Sequence, residues 1–397
     1  MNREDFPMLN SDIVYFDNGA TTLKPQCVVD SMDKYYLNHT SNIHRGDYEA
    51  AMITNNLYDE SRRIVGDFVN ADSSCCIFTS GATMSLNMVV FGYMRKHLKQ
   101  GDEILLNKSE HASNVLPWIK LCEEIGTKIK YVPLDENYNL TYDNIKDSIT
   151  DNTKVISLSH ISNVIGDVRD VEKIGELCKD KGILFNVDGS QSVPHIKIDF
   201  KKCNIDFLSF SAHKMCGPTG VGVLVGKMNL LEEMDPLLYG GGMNNYFEFD
   251  NTYELKSIPT RFEAGTPPIA EVIGLGEAIK YLEQIGMDNI HNHEVKLKKY
   301  FIEKVKDITN VIIYNKDSDS GIISFNIDGV FAQDTAIYLN HYNIYVRAGN
   351  HCTKMLKDDL KINNTVRASF YFYNDFEDVD RLVETLKNSK DIFKVVL

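Results

Sequence analysis

Asp188 and Lys214 each stand at the end of a short apolar run, and together they suggest a specific chemistry. Asp188 closes Ile183-Leu184-Phe185-Asn186-Val187, and Lys214 follows Phe207-Leu208-Ser209-Phe210 by a few residues. If the runs are neighbouring strands of an open α/β sheet, their carboxyl ends bring an acid and an amine into one pocket. Pyridoxal phosphate needs that pair: the lysine forms a Schiff base, and the carboxylate keeps the pyridine nitrogen protonated so that the ring accepts electrons. Taken singly, each residue has an ordinary reading, a helix-capping aspartate and a surface lysine. Their neighbours strengthen the joint reading. Gly81-Ala82-Thr83, between an apolar run and a helical pattern, offers backbone donors to a phosphate, and Ser211 and His213 flank the lysine with further donors. Glu110-His111, His160 with Asn163, and Gln191 also follow apolar runs.

Cys352 is a second candidate nucleophile. It lies in Val346-Arg347-Ala348-Gly349-Asn350-His351-Cys352-Thr353, among small and polar residues. Arg347 and His351 there would lower its pKa, the setting of a reactive thiol. An idle cysteine on an exposed loop fits the spacing equally well. Cys75, Cys76 and Cys178 sit in apolar patterns, where cysteine acts as a small hydrophobe.

These residues need a scaffold of strands and crossover helices. From about Tyr15 to about Lys227, short apolar runs alternate with longer amphipathic stretches, which predicts an α/β domain with a mostly parallel sheet. The seven strands are placed at Cys75–Thr79, Glu103–Leu106, Lys128–Val132, Val155–Ser159, Ile183–Val187, Phe207–Phe210 and Val221–Val225. After Pro267 the pattern predicts a long helical region through Tyr281 to Val305. It then predicts strands at Gly321–Ile327, Ile344–Arg347 and Val366–Tyr371 and a closing helix over Phe376–Ser389, a smaller α+β unit. The expected division is a large domain over 14–266 and a small domain over 267–397 with 1–13. Gly240-Gly241-Gly242-Met243-Asn244-Asn245 reads as a flexible loop.

Bulk properties narrow the partners. Hydrophobic residues make up 43% and charged residues 25%, so a globular protein with a sizeable core is expected. A formal net charge of −14 argues against nucleic acid and anionic membranes as partners, because both require a positive field. There is no secretory leader pattern and no apolar stretch of ~20 residues, which points to the cytoplasm. The 8 cysteines form no Cys-x-x-Cys pair, so neither a disulfide framework nor a metal site is expected. No Gly-x-Gly-x-x-Gly follows the first strand, which disfavours a nicotinamide enzyme.

Asp188-Gly189-Ser190-Gln191-Ser192, Ser211-Ala212-His213-Lys214, Gly217-Pro218-Thr219-Gly220 and Arg261-Phe262-Glu263-Ala264-Gly265-Thr266-Pro267 resemble the class V aminotransferase family of fold-type I pyridoxal-phosphate enzymes. Within it, Tyr15-Phe16-Asp17-Asn18-Gly19-Ala20-Thr21-Thr22 and Asn42-Ile43-His44-Arg45-Gly46 resemble the cysteine desulfurases, particularly the SufS-like group. The likeness implies that Lys214 carries the cofactor, Asp188 pairs with its pyridine nitrogen, Gln191 hydrogen-bonds its phenolic oxygen and His111 stacks on its ring. It implies that Asn163 lies near ring and substrate. Ala82, Thr83, Ser211 and His213 would hold the phosphate, with Thr266 joining from the other subunit of a homodimer. Arg367, with Arg347, would bind the substrate carboxylate, and His44 and Arg45 would approach from the partner. Cys352 would take sulfur from L-cysteine, leaving L-alanine and a persulfide destined for an acceptor protein of iron–sulfur cluster assembly.

This sequence departs from the family pattern at Asn350, where a histidine is usual, at Thr353-Lys354-Met355 after the cysteine, where Ala-x-Pro is commoner, and at Ala82, the first threonine of the phosphate turn. A selenocysteine lyase or carbon–sulfur β-lyase of the same fold is the neighbouring reading. A cofactor-binding assembly protein that has lost catalysis is the reading from another class.

Overall fold

A computed structural model describes residues 3–389 and 392 of the 397-residue chain. A short strand, β1 (Val14–Tyr15), precedes the strands of the large sheet. These are β2 (Cys76–Thr79), β3 (Glu103–Asn107), β4 (Lys128–Val132), β5 (Thr153–Ser159), β6 (Leu184–Asp188), β7 (Phe207–Ser211) and β8 (Gly222–Gly226). Their order is β2-β8-β7-β6-β5-β3-β4. The pairs β7-β6, β6-β5, β5-β3 and β3-β4 are parallel, and β8 is antiparallel to both its neighbours. All seven expected strands are present, with ends moved by one or two residues. Both faces of the central strands are covered, so β7 and β8 are buried along their whole length rather than alternating.

Crossover helices span Leu116–Ile125, Tyr142–Ser148 and Val171–Lys181. The last shows how the sequence sets such a helix. Asp170 accepts from the Lys173 amide at 3.2 Å as N-cap, Val171, Ile174, Leu177 and Cys178 face the sheet, and Gly182 ends the helix in the left-handed region.

A hairpin, β9 (Asn244–Phe247) with β10 (Tyr253–Leu255), stands where the glycine-rich segment predicted a loop. Its turn is built by Asp250, whose carboxylate accepts from the Thr252 amide and hydroxyl, and by Asn251 at φ 68°. The triple glycine ends before Asn244, so the loop reading ran two residues or more into a strand.

The C-terminal layer contains β11 (Val311–Tyr314), β12 (Ile322–Ile327), β13 (Ile344–Tyr345), β14 (Arg347–Gly349) and β15 (Thr365–Ser369). An antiparallel sheet runs β11-β12-β15-β14, while β13 pairs in parallel with β1. The expected strand Ile344–Arg347 is thus divided at Val346 between two partners. The expected long helical region is two helices, Ile269–Ile285 and Met287–Val305, separated at Gly286 with φ 88°. Val272, Leu275, Ile279 and Leu282 of the first helix pack in the core of the large sheet, whereas Val14 and Phe16 pack in the core of the C-terminal sheet. The first helix after residue 266 thus packs with the large sheet, and the segment at β1 packs with the C-terminal sheet. Among the described residues no helix is long and apolar enough to cross a membrane.

The carboxyl ends of β3 and β5 are joined by one buried cation. Arg169 donates to Glu110 Oε1 at 2.7 Å, to the Ser159 carbonyl at 2.6 Å, to Ser109 Oγ at 2.6 Å and to Asp167 Oδ2 at 3.1 Å. Glu110 in turn accepts from the Ser159 amide and from Asn114 Nδ2, each at 2.8 Å. Arg169 and Glu110 have no side-chain exposure, so removing either partner strands a charge. Arg169→Met should cost about 3–5 kcal/mol in urea unfolding. Arg169→Lys should recover only part of that, because one ammonium cannot reproduce the planar fork. Near-native stability of Arg169→Met would contradict this role.

Candidate active site

The strand ends open into one cavity of about 220 Å³. β2 leads into Gly81, whose φ of 149° suits glycine, and then into Ala82 and Thr83. A Cβ on Gly222 of the adjoining β8 would stand 2.5 Å from the Gly81 Cα, so the turn closes against a second glycine. The Ala82 amide donates to Ser211 Oγ at 2.8 Å, and the Thr83 and Ser113 hydroxyls are 2.8 Å apart. Ala82, Thr83, Ser211 and His213 all line the cavity, on its β2–β7 side.

Lys214 lies at the end of a single 3-10 turn, Ala212–Lys214, after β7. That turn is clamped through the His213 carbonyl, which accepts from the Thr22 amide at 2.9 Å, Thr21 Oγ1 at 3.0 Å and Lys24 Nζ at 3.0 Å. Burial, together with the nearby Arg367 and Arg347, pushes the Lys214 amine down to about 8, and Asp188 opposes the shift. Asp188 ends β6, is buried, and accepts from the Ser190 amide at 2.9 Å. Gln191 Nε2 donates to the Gly19 carbonyl at 2.7 Å, leaving Oε1 buried without a partner. His111 accepts from the Ser113 amide at Nδ1, 3.1 Å away, and burial beside Lys214 pushes it down to about 4, so its ring is neutral.

The C-terminal layer supplies the opposite wall. Arg367 on β15 is buried, donates to the Asn163 carbonyl at 2.9 Å and reaches Asp17 Oδ1 at 3.3 Å, while its Nε has no partner. Arg347 on β14 is paired directly opposite Arg367 across the strands. Like charges so placed repel. Asp188 is the only acid among the cavity-lining residues, against Lys214, Arg347 and Arg367. Such a wall suits a guest with more than one anionic group, and the unpaired guanidinium edge suits a carboxylate.

Cys352 is exposed and lines the same cavity. It lies beyond β14 in a loop where Gly349 has φ 132°, His351 φ 51° and Cys352 φ 57°. A left-handed conformation costs a non-glycine residue roughly 1–2 kcal/mol. The loop is held by hydrogen bonds: the Ala112 amide donates to the Cys352 carbonyl at 2.8 Å, and Asn163 Nδ2 donates to the His351 carbonyl at 2.8 Å.

The sequence expectation for His351 needs correction. Its ring is buried and points to Thr365, donating from Nε2 at 3.0 Å, and burial with Arg367 pushes it down to about 2. It is therefore neutral, and of the two expected cations beside the thiol only Arg347 is charged. His160 is likewise buried and absent from the cavity lining. His44, Arg45 and Thr266 are exposed and do not line the cavity. His44 and Arg45 border a separate depression with Lys256 and Glu263, and Asn42 Nδ2 lies 3.4 Å from Thr266 Oγ1. Sequence reasoning missed Asp17, Ser113, Lys24 and Thr353 as supports. Asp17 lay inside a quoted motif, whereas Ser113 and Lys24 have no spacing signal.

The depressed histidines have a consequence for stability. His351, and His160 at about 4, resist protonation in the fold, whereas an unfolded histidine protonates near 6.5. Their contribution is present above pH ~6.5 and is lost as pH falls below it. The melting temperature should drop between pH 7 and pH 5, and His351→Gln should flatten that slope. An unchanged slope in the variant would contradict the assignment.

Residues 14–382 match the family model of class-V aminotransferases. A "probable cysteine desulfurase" of Halalkalibacterium halodurans is 39% identical over 395 residues, covering 98% of this chain and 97% of that protein. One from Staphylococcus aureus is 40% identical over 399 residues, covering 98% and 96%. The structure of a cysteine desulfurase from Thermococcus onnurineus NA1 superposes with a TM-score of 0.94 at 38% identity, covering 97% of this chain and 96% of that one. An Escherichia coli cysteine desulfurase in an S-sulfonic acid form gives a TM-score of 0.92 at 34% identity, covering 98% and 97%. The chain therefore belongs to the class-V aminotransferase family and, within it, to the cysteine desulfurases.

Proposed function

We propose that this protein is a pyridoxal-phosphate-dependent cysteine desulfurase, converting L-cysteine to L-alanine and taking the sulfur onto Cys352. One observation carries the reading: an exposed thiol shares a single positively charged cavity with Lys214, Asp188 and the unpaired edge of Arg367. The residues fit the cofactor. The orphaned buried Nε of Arg367, the glycine-lined turn at Gly81 and the excess of cations call for an anionic guest, and the unpartnered Oε1 of Gln191 calls for a donor on it. Thr83, Ser211 and His213 would hold its phosphate, Asp188 its ring nitrogen, Gln191 and Asn163 its polar edge, and Lys214 its aldehyde carbon. When bound, the cofactor supplies an electron sink for the substrate's α-carbon.

The chain's own residues supply the rest. Arg367 and Arg347 orient the substrate carboxylate. The Lys214 amine, pushed down to about 8 and so unprotonated in part at physiological pH, moves the α-proton. Neutral His111 packs over the site without adding positive charge. The Cys352 thiolate bonds to the substrate sulfur while the carbon–sulfur bond breaks. The bonding pair stays with carbon, which is protonated to give alanine, and Cys352 is left as a persulfide.

The same reading includes a homodimer and a sulfur-acceptor protein of iron–sulfur cluster assembly, in the cytoplasm. Support for the dimer comes from His44, Arg45 and Thr266, which stand apart from their own chain's cavity and are open to a second copy. Exposed Tyr36 and Leu37 of the helix Gln26–Asn38, Tyr48, and Met52 of the helix Glu49–Val69 offer apolar surface on either side of His44 and Arg45 in the sequence. Sedimentation at assay concentration should give twice the chain mass. A fully active monomer would remove this part of the reading.

Two variants test the chemistry. Lys214→Ala should lose the visible absorbance of the purified protein and at least ~1000-fold in turnover. Cys352→Ser should keep the absorbance and its response to L-cysteine, yet release little alanine. Wild-type protein treated with L-cysteine and alkylated should carry one extra sulfur on the Cys352 peptide. Finding that sulfur on Cys216, or undiminished alanine from Cys352→Ser, would overturn the mechanism.

A further inference from the structure

Two of the hydrogen bonds that dock the cysteine loop meet at one carboxamide. Asn163 Nδ2 donates to the His351 carbonyl at 2.8 Å, and the Thr353 hydroxyl donates to Asn163 Oδ1 at 3.1 Å. This clasp holds the peptide before Cys352 and the residue after it. Its orientation is fixed, because turning the amide over would set Oδ1 against the carbonyl of His351, two acceptors facing each other. Thr353 is buried, and its amide donates to the Asn350 carbonyl at 2.9 Å, closing the turn around the cysteine. Asn163 also lines the cavity, and its backbone carbonyl accepts from Arg367 Nη1 at 2.9 Å.

We infer that Thr353 is a positioning residue for sulfur transfer, holding Cys352 through the Asn163 carboxamide in line with the site that Arg367 occupies. The inference rests on the desulfurase reading and deepens it. Alanine, the commoner residue at this place in the family pattern, has no hydroxyl to make the contact, so the clasp belongs to this chain's own sequence. The left-handed backbone at His351 and Cys352 is unfavourable by itself and persists only while the flanking hydrogen bonds hold it. Removing the hydroxyl should let the loop relax away from the cavity. The thiol would then meet solvent reagents more often and the substrate sulfur less often.

The test compares wild type, Thr353→Val and Thr353→Ser as holoenzymes, in steady-state turnover of L-cysteine and in the rate at which iodoacetamide labels the Cys352 peptide, read by mass spectrometry. For Thr353→Val, kcat should fall roughly tenfold with KM within about twofold, while labelling becomes about threefold faster or more. Thr353→Ser should return both to within about twofold of wild type. If Thr353→Val is insoluble, Thr353→Ala replaces it with the same expected directions. A labelling rate unchanged from wild type, a parallel change in KM and kcat, or a serine variant as poor as valine would overturn the inference. A wild-type protein that never carries the extra sulfur would instead defeat the desulfurase reading, while the labelling comparison would still decide the role of Thr353.

Discussion

The buried contact of Arg169 with Glu110 is the constraint on which the site depends. Strands β3 and β5 are neighbours, and the chain leaves each of them into a loop that must face the cavity. A loop with free polar groups would not hold there, because each unpaired group in a low-dielectric interior is costly. Arg169 takes up the Ser159 carbonyl, the Ser109 hydroxyl and two carboxylates at once. Glu110 then fixes Asn114 and the Ser159 amide. The result is that His111, next to Glu110, and Asn163, a few residues after Ser159, are set by the same guanidinium. A hydrophobic replacement of the whole cluster could be as stable, yet it would leave nothing to orient these two loops.

A second constraint is electrostatic. The protein carries a formal net charge of −14, yet its cavity is walled by Lys214, Arg347 and Arg367 against a single acid. A negative exterior around a positive pocket selects small anions over polyanions, which agrees with an amino-acid substrate and a phosphate-bearing cofactor. The arginines oppose one another across β14 and β15, a repulsive arrangement that an anion placed between them would relieve. The same field lowers the affinity of nearby bases for protons. Lys214 and His111 are both pushed down by burial and by cations, and their protons are therefore easily surrendered.

Much of this was readable in the sequence, and the reasons for the exceptions are physical. The edge strand β4, Lys128–Val132, is largely only half-buried and carries two lysines, whereas the central strands of the large sheet are buried on both faces and appear as mostly apolar runs. Their carboxyl ends moved by a residue because Asp188, Ser211 and Asn107 are polar yet buried. Val346 shows the limit of such reading, since a continuous run can serve two sheets and only the pairing with β1 reveals it. Adjacent residues also need not share a side. His351 stands next to Cys352, but its ring is buried and reaches the Thr365 carbonyl. Thr353 was visible only as a departure from the family pattern. Its partner lies far away in the sequence at Asn163, and no spacing rule connects the two.

The cysteine loop itself reflects opposing demands. A nucleophile buried in the interior would be precise but confined, and Cys216, fully buried with its thiol pushed up to about 12, illustrates the outcome. A nucleophile on an unanchored loop would be reachable but rarely in place. Cys352 combines an exposed thiol with neighbours that are buried on both sides, His351 and Thr353. Burial of these neighbours anchors the backbone against the cost of the left-handed conformations at His351 and Cys352. A loop held by a few hydrogen bonds rather than by packed apolar surface can open without disturbing either core. The docking of the loop is thus a property of the hydrogen bonds at Asn163 and Ala112, and the fold places both of those groups on loops already fixed by Arg169.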